Sequence, residues 1–247
     1  YLEGIADYAT QIYYAKGCLY SENEVDQSGE KPMREALIAA KKADVILLCM
    51  GLNSSMEGEE GIESDNSQLS GDKLDLELPK CQKELYAQIK ALGKPMIFIN
   101  TSGSCVNLQD QDASCNAVIQ CFYPGAEGGK ALADILYGQV SPSGRLPVTF
   151  YRSADDLPSF EDYSMKNRTY KFFKGPVVYP FGHGLTYSNI KEDWTGNKVV
   201  LKNQGPMDTW YTVLQFEHIP HKSLKNFKKI FLSAGEEKIL HFDEIEV

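Results

Sequence analysis

Asp44-Val-Ile-Leu-Leu-Cys-Met50, Pro95-Met-Ile-Phe-Ile-Asn100 and Ala117-Val-Ile-Gln-Cys-Phe122 decide the fold: after Asp44 these short runs carry no charge. A strand with one face in water alternates apolar and polar residues. Continuous apolar runs of this length fit strands buried on both faces. Helical patterns separate them. Met33, Ala36, Leu37 and Ala40 fall at the i, i+3, i+4, i+7 spacing of one helix face. Leu78, Cys81, Leu85, Ile89 and Leu92 form a second stripe, which Pro79 opens and Gly93 stops. Ala131, Leu132, Ile135 and Leu136 form a third, closed at Gly138. Residues 11–15 read as one more β-prone run, ending at Gly17.

Repeated β-loop-α units predict an α/β fold: a mostly parallel sheet flanked by helices on both faces, with right-handed crossovers. In such sheets the functional loops leave the carboxyl ends of the strands. That rule points to residues 51–77, 101–106 and 123–129. Past residue 150 the texture changes. Residues 151–196 are rich in Pro, Gly and aromatics without helical period and read as an ordered connecting segment. Residues 197–247 show alternating runs at Lys198, Tyr211 and Ile230, punctuated by Gly205 and Gly235. They predict a small antiparallel β module, short of the roughly 100 residues of a full β-sandwich and therefore incomplete. The domain reading is thus 1–150, 151–196 and 197–247.

The 247 residues carry 25 Lys+Arg against 34 Asp+Glu, a net charge of −9. That balance argues against a nucleic-acid partner, which needs clustered cations. No apolar run reaches the roughly 18 residues of a spanning helix, so no membrane partner is expected. The chain opens on Tyr1 without a basic or apolar leader and reads as a mature product or a fragment. Six cysteines lack a metal-like pair spacing and read as free, buried thiols. Sequons at Asn53, Asn100 and Asn167 matter only in a eukaryotic secretory pathway. The compartment stays open on the residues, with a secreted, extracellular or periplasmic location favoured.

Chemistry concentrates in Met56-Glu-Gly-Glu-Glu60, followed by Glu63, Asp65, Asp72 and Asp75. Carboxylates crowded on one loop can raise each other's proton affinity, which general acid/base work requires. A solvated acidic loop is the plainer alternative. A calcium loop is a third, without the alternating Asp/Asn spacing it needs. Tyr123-Pro-Gly-Ala-Glu-Gly-Gly129 fits neither GxGxxG nor a Walker A loop, and reads better as a tight turn that lets a helix pack closely than as a phosphate cradle. Thr101-Ser-Gly-Ser-Cys105 lacks the G-x-S-x-G elbow, and all four histidines (His183, His218, His221 and His241) lie far downstream. His218 and His221 read as structural. No cofactor and no metal are expected.

These segments, in order, resemble the C-terminal α/β-sandwich domain of glycoside hydrolase family three, which contains β-glucosidases and β-xylosidases. The resemblance rests on Ala40-Lys-Lys-Ala-Asp44 running into Leu48, then Glu57-Gly-Glu59, Gly71-Asp-Lys-Leu-Asp-Leu-Glu-Leu-Pro79 with Gln82, and the Tyr123–Gly129 turn. Ser141-Pro-Ser-Gly-Arg-Leu-Pro-Val-Thr-Phe150, Arg168-Thr-Tyr170 and Tyr179-Pro-Phe-Gly-His-Gly-Leu-Thr-Tyr187 complete it. Residues 197–247 look like the fibronectin type III-like module that follows in many members. The resemblance implies retaining hydrolysis of terminal β-xylosyl or β-glucosyl residues from an oligosaccharide or glycoside. The nucleophilic Asp would lie on an N-terminal (β/α)8 barrel absent from this chain, so the chain alone should be inactive. Carried onto this sequence, the general acid/base is Glu59, with Glu57 as the runner-up. Lys73 stands where the family usually has Arg, keeping the charge but losing the bidentate fork. A non-catalytic carbohydrate-binding or interaction module is the competing reading.

Overall fold

The computed structural model describes residues 1–19, 32–57, 73–159 and 161–242. The chain divides into two compact units, one formed by residues 1–129, 150–159 and 175–178 and the other by 130–149, 160–174 and 179–247.

In the first unit β1 (Ile46–Gly51), β2 (Met96–Thr101) and β3 (Ala117–Gln120) form a parallel sheet in the order β1-β2-β3. Its register pairs Gly51 with Thr101 and Asn100 with Gln120. All three strands therefore end at the same edge, and the loops that follow them start side by side there. Around the sheet's sequence run α1 (Leu2–Ala6), α2 (Pro32–Lys42), α3 (Ser54–Glu57), α4 (Lys80–Lys90) and α5 (Gln109–Ser114), and α6 (Gly128–Leu136) follows β3. The expected stripe of α2 falls within its helix; of the α4 stripe Cys81, Leu85 and Ile89 lie in the helix, and Leu78 and Leu92 flank it. Pro79 is the N-cap of α4, and Gly93 takes φ +64° just past its end. Phe98, Ile99, Val106 and Leu108 are fully buried, and Tyr86 of α4 meets the Phe98 ring edge-on at 5.9 Å. Burial of a side chain such as Phe98 contributes about 1.5–3 kcal/mol.

Two-faced burial holds only for the central strand, where Phe98, Ile99 and Asn100 are all sealed. β1 alternates instead: Ile46, Leu48 and Met50 are buried and Cys49 is exposed. None of the six thiols is fully buried: Cys49 is exposed and the other five are half-buried. Residues 11–15 form no strand; Tyr14 lies in water at 71% exposure, and β-propensity without a pairing partner does not order a run. α5, Gln-Asp-Gln-Asp-Ala-Ser, has no apolar stripe to announce it; Asp110 and Asp112 in its first turn favour the helix dipole.

β4 (Phe150–Tyr151) and β5 (Val177–Tyr179) form a two-stranded ladder, and α7 (Thr169–Phe172) lies between them in sequence. In the second unit β6 (Ile190–Thr195), β7 (Lys198–Asn203) and β10 (Glu237–His241) form an antiparallel sheet in the order β10-β7-β6. β8 (Thr209–Glu217) and β9 (Ser223–Leu232) form an antiparallel hairpin. Val199, Leu201, Tyr211, Val213, Leu232 and Phe242 make their shared core. β6 falls within the stretch read as connecting segment, because its Ile-Lys-Glu-Asp-Trp-Thr is mostly exposed and carries no clear alternation. Among the described residues no helix is long and apolar enough to cross a membrane.

Candidate functional site

The site begins where β1 stops. Gly51 takes φ +137°, and a Cβ there would sit 2.0 Å from the Thr101 carbonyl oxygen, so only glycine fits. The buried Gln82 of α4 accepts from the Gly51 N–H at 2.9 Å and donates to its C=O at 2.7 Å. The chain then turns into α3, whose first amides are capped by Asn53. Its Oδ1 accepts from the N–H groups of Ser55 and Met56, both at 3.0 Å, and from Ser55 Oγ at 2.6 Å. Met56 drops into the core, and the next residue, Glu57, turns toward the neighbouring loop.

Glu57 joins all three carboxyl-edge loops. Its Oε2 accepts from the Gly103 N–H at 2.7 Å, and its Oε1 accepts from the Ser104 N–H at 2.8 Å and Ser104 Oγ at 2.5 Å. The Tyr123 hydroxyl, from the loop after β3, donates to Oε2. A Cβ on Gly103 would lie 2.8 Å from both Glu57 Oε2 and the Tyr123 ring, so a larger residue there would push these two side-chain ends aside. Burial pushes the Glu57 carboxyl up, but the hydrogen bonds from Ser104, Tyr123 and Gly103 outweigh it and hold it below the ordinary range. Tyr123 is pushed up to about 12, by burial and then by its bond to the Glu57 carboxylate.

Below this contact lies a buried amide knot. Asn100 Nδ2 donates to Ser102 Oγ at 2.9 Å and to Gln120 Oε1 at 2.6 Å, and Gln120 Nε2 donates to the Ser102 carbonyl at 3.0 Å. It ties the ends of β2 and β3 together and fixes the residues that support Gly103 and Ser104.

The chain is described again from Lys73, which returns to the same loop. Its Nζ donates to the Cys105 carbonyl at 2.9 Å. Burial lowers its proton affinity, and the charge of Glu57 opposes that. Asn107 continues the attachment, donating its N–H to the Leu76 carbonyl at 2.6 Å and Nδ2 to Glu77 Oε1 at 2.9 Å.

Of the residues singled out from sequence, Glu57 lies at this convergence. Glu59, Glu60, Glu63, Asp65 and Asp72 lie outside the described residues. The Tyr123–Gly129 turn has a structural occupation: Gly125 takes φ +73°, and a Cβ on Gly128 would strike the Pro124 ring at 2.5 Å. In the 101–105 stretch, the Ser104 hydroxyl bonds to Glu57. Asn100 is fully buried, the Asn53 carbonyl is used as a cap, and Asn167 is exposed at φ +57°. Sequence reading missed Gly103, Ser104 and Tyr123 as partners of Glu57. The only signal was the neighbouring placement of three strand ends.

The chain is an α/β protein with a carboxylate fixed at the carboxyl edge of a parallel sheet and a small antiparallel module. The chain belongs to glycoside hydrolase family 3: the family's C-terminal domain, described as "Glycosyl hydrolase family 3 C-terminal domain", matches residues 1–187. A xylan 1,4-beta-xylosidase of Xylanibacter ruminicola is 37% identical over 220 residues, covering 82% of this chain and 25% of that protein. A periplasmic beta-glucosidase of Salmonella typhimurium is 29% identical, over 94% of this chain and 35% of that protein. Among solved structures, a GH3 exo-beta-xylosidase in complex with a xylobiose aziridine probe superposes with a TM-score of 0.79 at 25% identity, covering 97% of this chain and 35% of that one. A GH3 beta-glucosidase of Bifidobacterium adolescentis gives 0.78 at 27%, covering 99% of this chain and 39% of that one. The chain thus spans about a quarter to a third of the curated relatives it matches.

Proposed function

We propose that this chain is the C-terminal part of a retaining exo-β-glycosidase that removes terminal β-xylosyl or β-glucosyl residues. It supplies Glu59 as general acid/base, and the nucleophilic Asp lies on an N-terminal (β/α)8 barrel. One observation carries the reading. Residues 57 and 73, which bracket the acidic segment, are both fixed to residues 103–105 at the carboxyl edge of the sheet. That edge is where α/β sheets place reacting groups.

In a retaining mechanism a carboxylate attacks the anomeric carbon while a carboxylic acid protonates the leaving oxygen. The acid then works as a base on the incoming water. The proton donor must hold its proton near neutral pH. Glu57, with four donors on its carboxylate, is stabilised as the anion and suits that task poorly. Glu59, two residues on, is left as the donor. The named relatives act on xylosides and glucosides, and one is named periplasmic, which supports both the substrate class and an exported location.

The test is release of nitrophenol from aryl β-xyloside and β-glucoside. The 247-residue chain alone should give no turnover, and the same chain joined to its barrel should be active. Robust hydrolysis by the chain alone would contradict the division of the catalytic pair.

A further inference from the structure

We propose that Tyr123 is a substrate-binding residue: a preset aromatic platform at the carboxyl edge of the sheet, on which a pyranose ring of the glycoside rests. The inference rests on the glycosidase reading given above and deepens it by naming a side chain that touches sugar without moving a proton.

The backbone is shaped to present this ring. Pairing of β3 with β2 runs on to Cys121, whose N–H donates to the Asn100 carbonyl at 2.8 Å. The chain then turns at Phe122, which takes φ +53°. For a bulky residue the left-handed region is an outlier, and such strain is kept where the surroundings enforce it, characteristically at ligand sites. Tyr123 follows, and Pro124 after it narrows the backbone choices of the residue it succeeds.

The side chain is fixed as well. Its hydroxyl bonds to Glu57 Oε2, and one side of its ring lies against Gly103, whose added Cβ would sit 2.8 Å from Cε2 and 3.5 Å from Cδ2. Backbone, hydroxyl and ring edge are all held, yet Tyr123 is 48% exposed. A loose surface tyrosine needs none of these restraints. A ring held still at the edge where α/β sheets bind ligands has lost its freedom before the ligand arrives, which lowers the entropy cost of binding.

The chemistry of the spot selects the ligand. The ring is a flat apolar surface, and the Glu57 carboxylate stands at its hydroxyl end. A pyranose has an apolar C–H face and hydroxyls around its rim, so the face can lie on the ring while a rim hydroxyl donates to the carboxylate. A phosphate would meet repulsion from the same carboxylate.

The test uses the barrel-bearing enzyme, with aryl β-xyloside as substrate and a sulfur-linked xylobiose as a slowly hydrolysed inhibitor. Tyr123→Leu keeps bulk and removes the ring. It should raise KM and the inhibitor Ki about 3- to 10-fold, the worth of one aromatic contact. Its kcat should change less than about twofold, because the lost contact is made equally in the ground and transition states. Tyr123→Phe removes only the hydroxyl and its bond to Glu57, and its Ki should stay within about twofold of wild type. Equal losses in the Phe and Leu variants would make the hydroxyl, not the ring, the working part and would overturn the platform. An unchanged Ki in Tyr123→Leu would overturn it too. Should the Leu variant fail to fold, Tyr123→Met takes its place and is read in the same way. Leaving-group dependence in Glu59→Gln judges the acid/base reading separately. If the wild-type enzyme neither hydrolyses nor binds these glycosides, both readings fall.

Discussion

The Gln82 amide closes on both backbone groups of Gly51, accepting from the N–H at 2.9 Å and donating to the C=O at 2.7 Å. It does for the last residue of β1 what a neighbouring strand would do, and it links α4 to the point where the functional loop departs. Gln82→Ala leaves two backbone groups at a half-buried site without partners. At about 1–3 kcal/mol for each orphaned group, the chain should lose about 2–6 kcal/mol. Urea unfolding of the two proteins checks this; equal midpoints would show that water replaces the amide at no cost.

Gly51→Ala tests the same junction from the backbone side. Alanine disfavours φ +137°, and its Cβ would meet the Thr101 carbonyl at 2.0 Å. The expected cost is about 3 kcal/mol or more, read as a large fall in the thermal midpoint or as insoluble expression. Gly93, where a Cβ meets nothing within 4 Å, is the control. Its alanine variant should lose much less, and equal losses at both positions would contradict the steric argument.

Acid sensitivity follows from Glu57. Its folded proton affinity is lowered below the ordinary carboxylate, so its stabilising contribution is fully present above the unfolded pKa of about 4.3 and fades as pH falls through the lower folded value. The stability gap between wild type and Glu57→Gln should be constant above about pH 5.5 and shrink steadily in acid. A gap that grows on acidification would reverse the sign and place the proton on Glu57.

Tyr123 gives a spectroscopic view of the same contact. Its hydroxyl is pushed up to about 12 by burial and by the Glu57 carboxylate. In an ultraviolet titration, Glu57→Gln should move one tyrosine toward the ordinary value near 10. Identical titration curves would mean that the hydroxyl does not face an anion.

Much of the fold was legible because it follows from local periodicity. Residues 96–100 announce a buried central strand, and Leu85, Ile89 and Gly93 mark a helix and its end. β1 was over-read: its apolar run predicts two buried faces, yet Cys49 is exposed. α5 was invisible for the opposite reason, since it has no apolar stripe. Strand order alone marked the three loops that hold the site. The identity of the Glu57 partners was not legible, because it depends on backbone amides at 103 and 104, whose direction no side chain encodes.

The most direct test of the central claim uses the barrel-bearing enzyme and a series of aryl β-xylosides whose leaving groups span a wide range of acidity. Glu59→Gln should slow hydrolysis of poor leaving groups far more than of activated ones, because only the former need protonation in the transition state. Equal loss across the series, or a leaving-group dependence that appears in Glu57→Gln instead, would contradict the assignment.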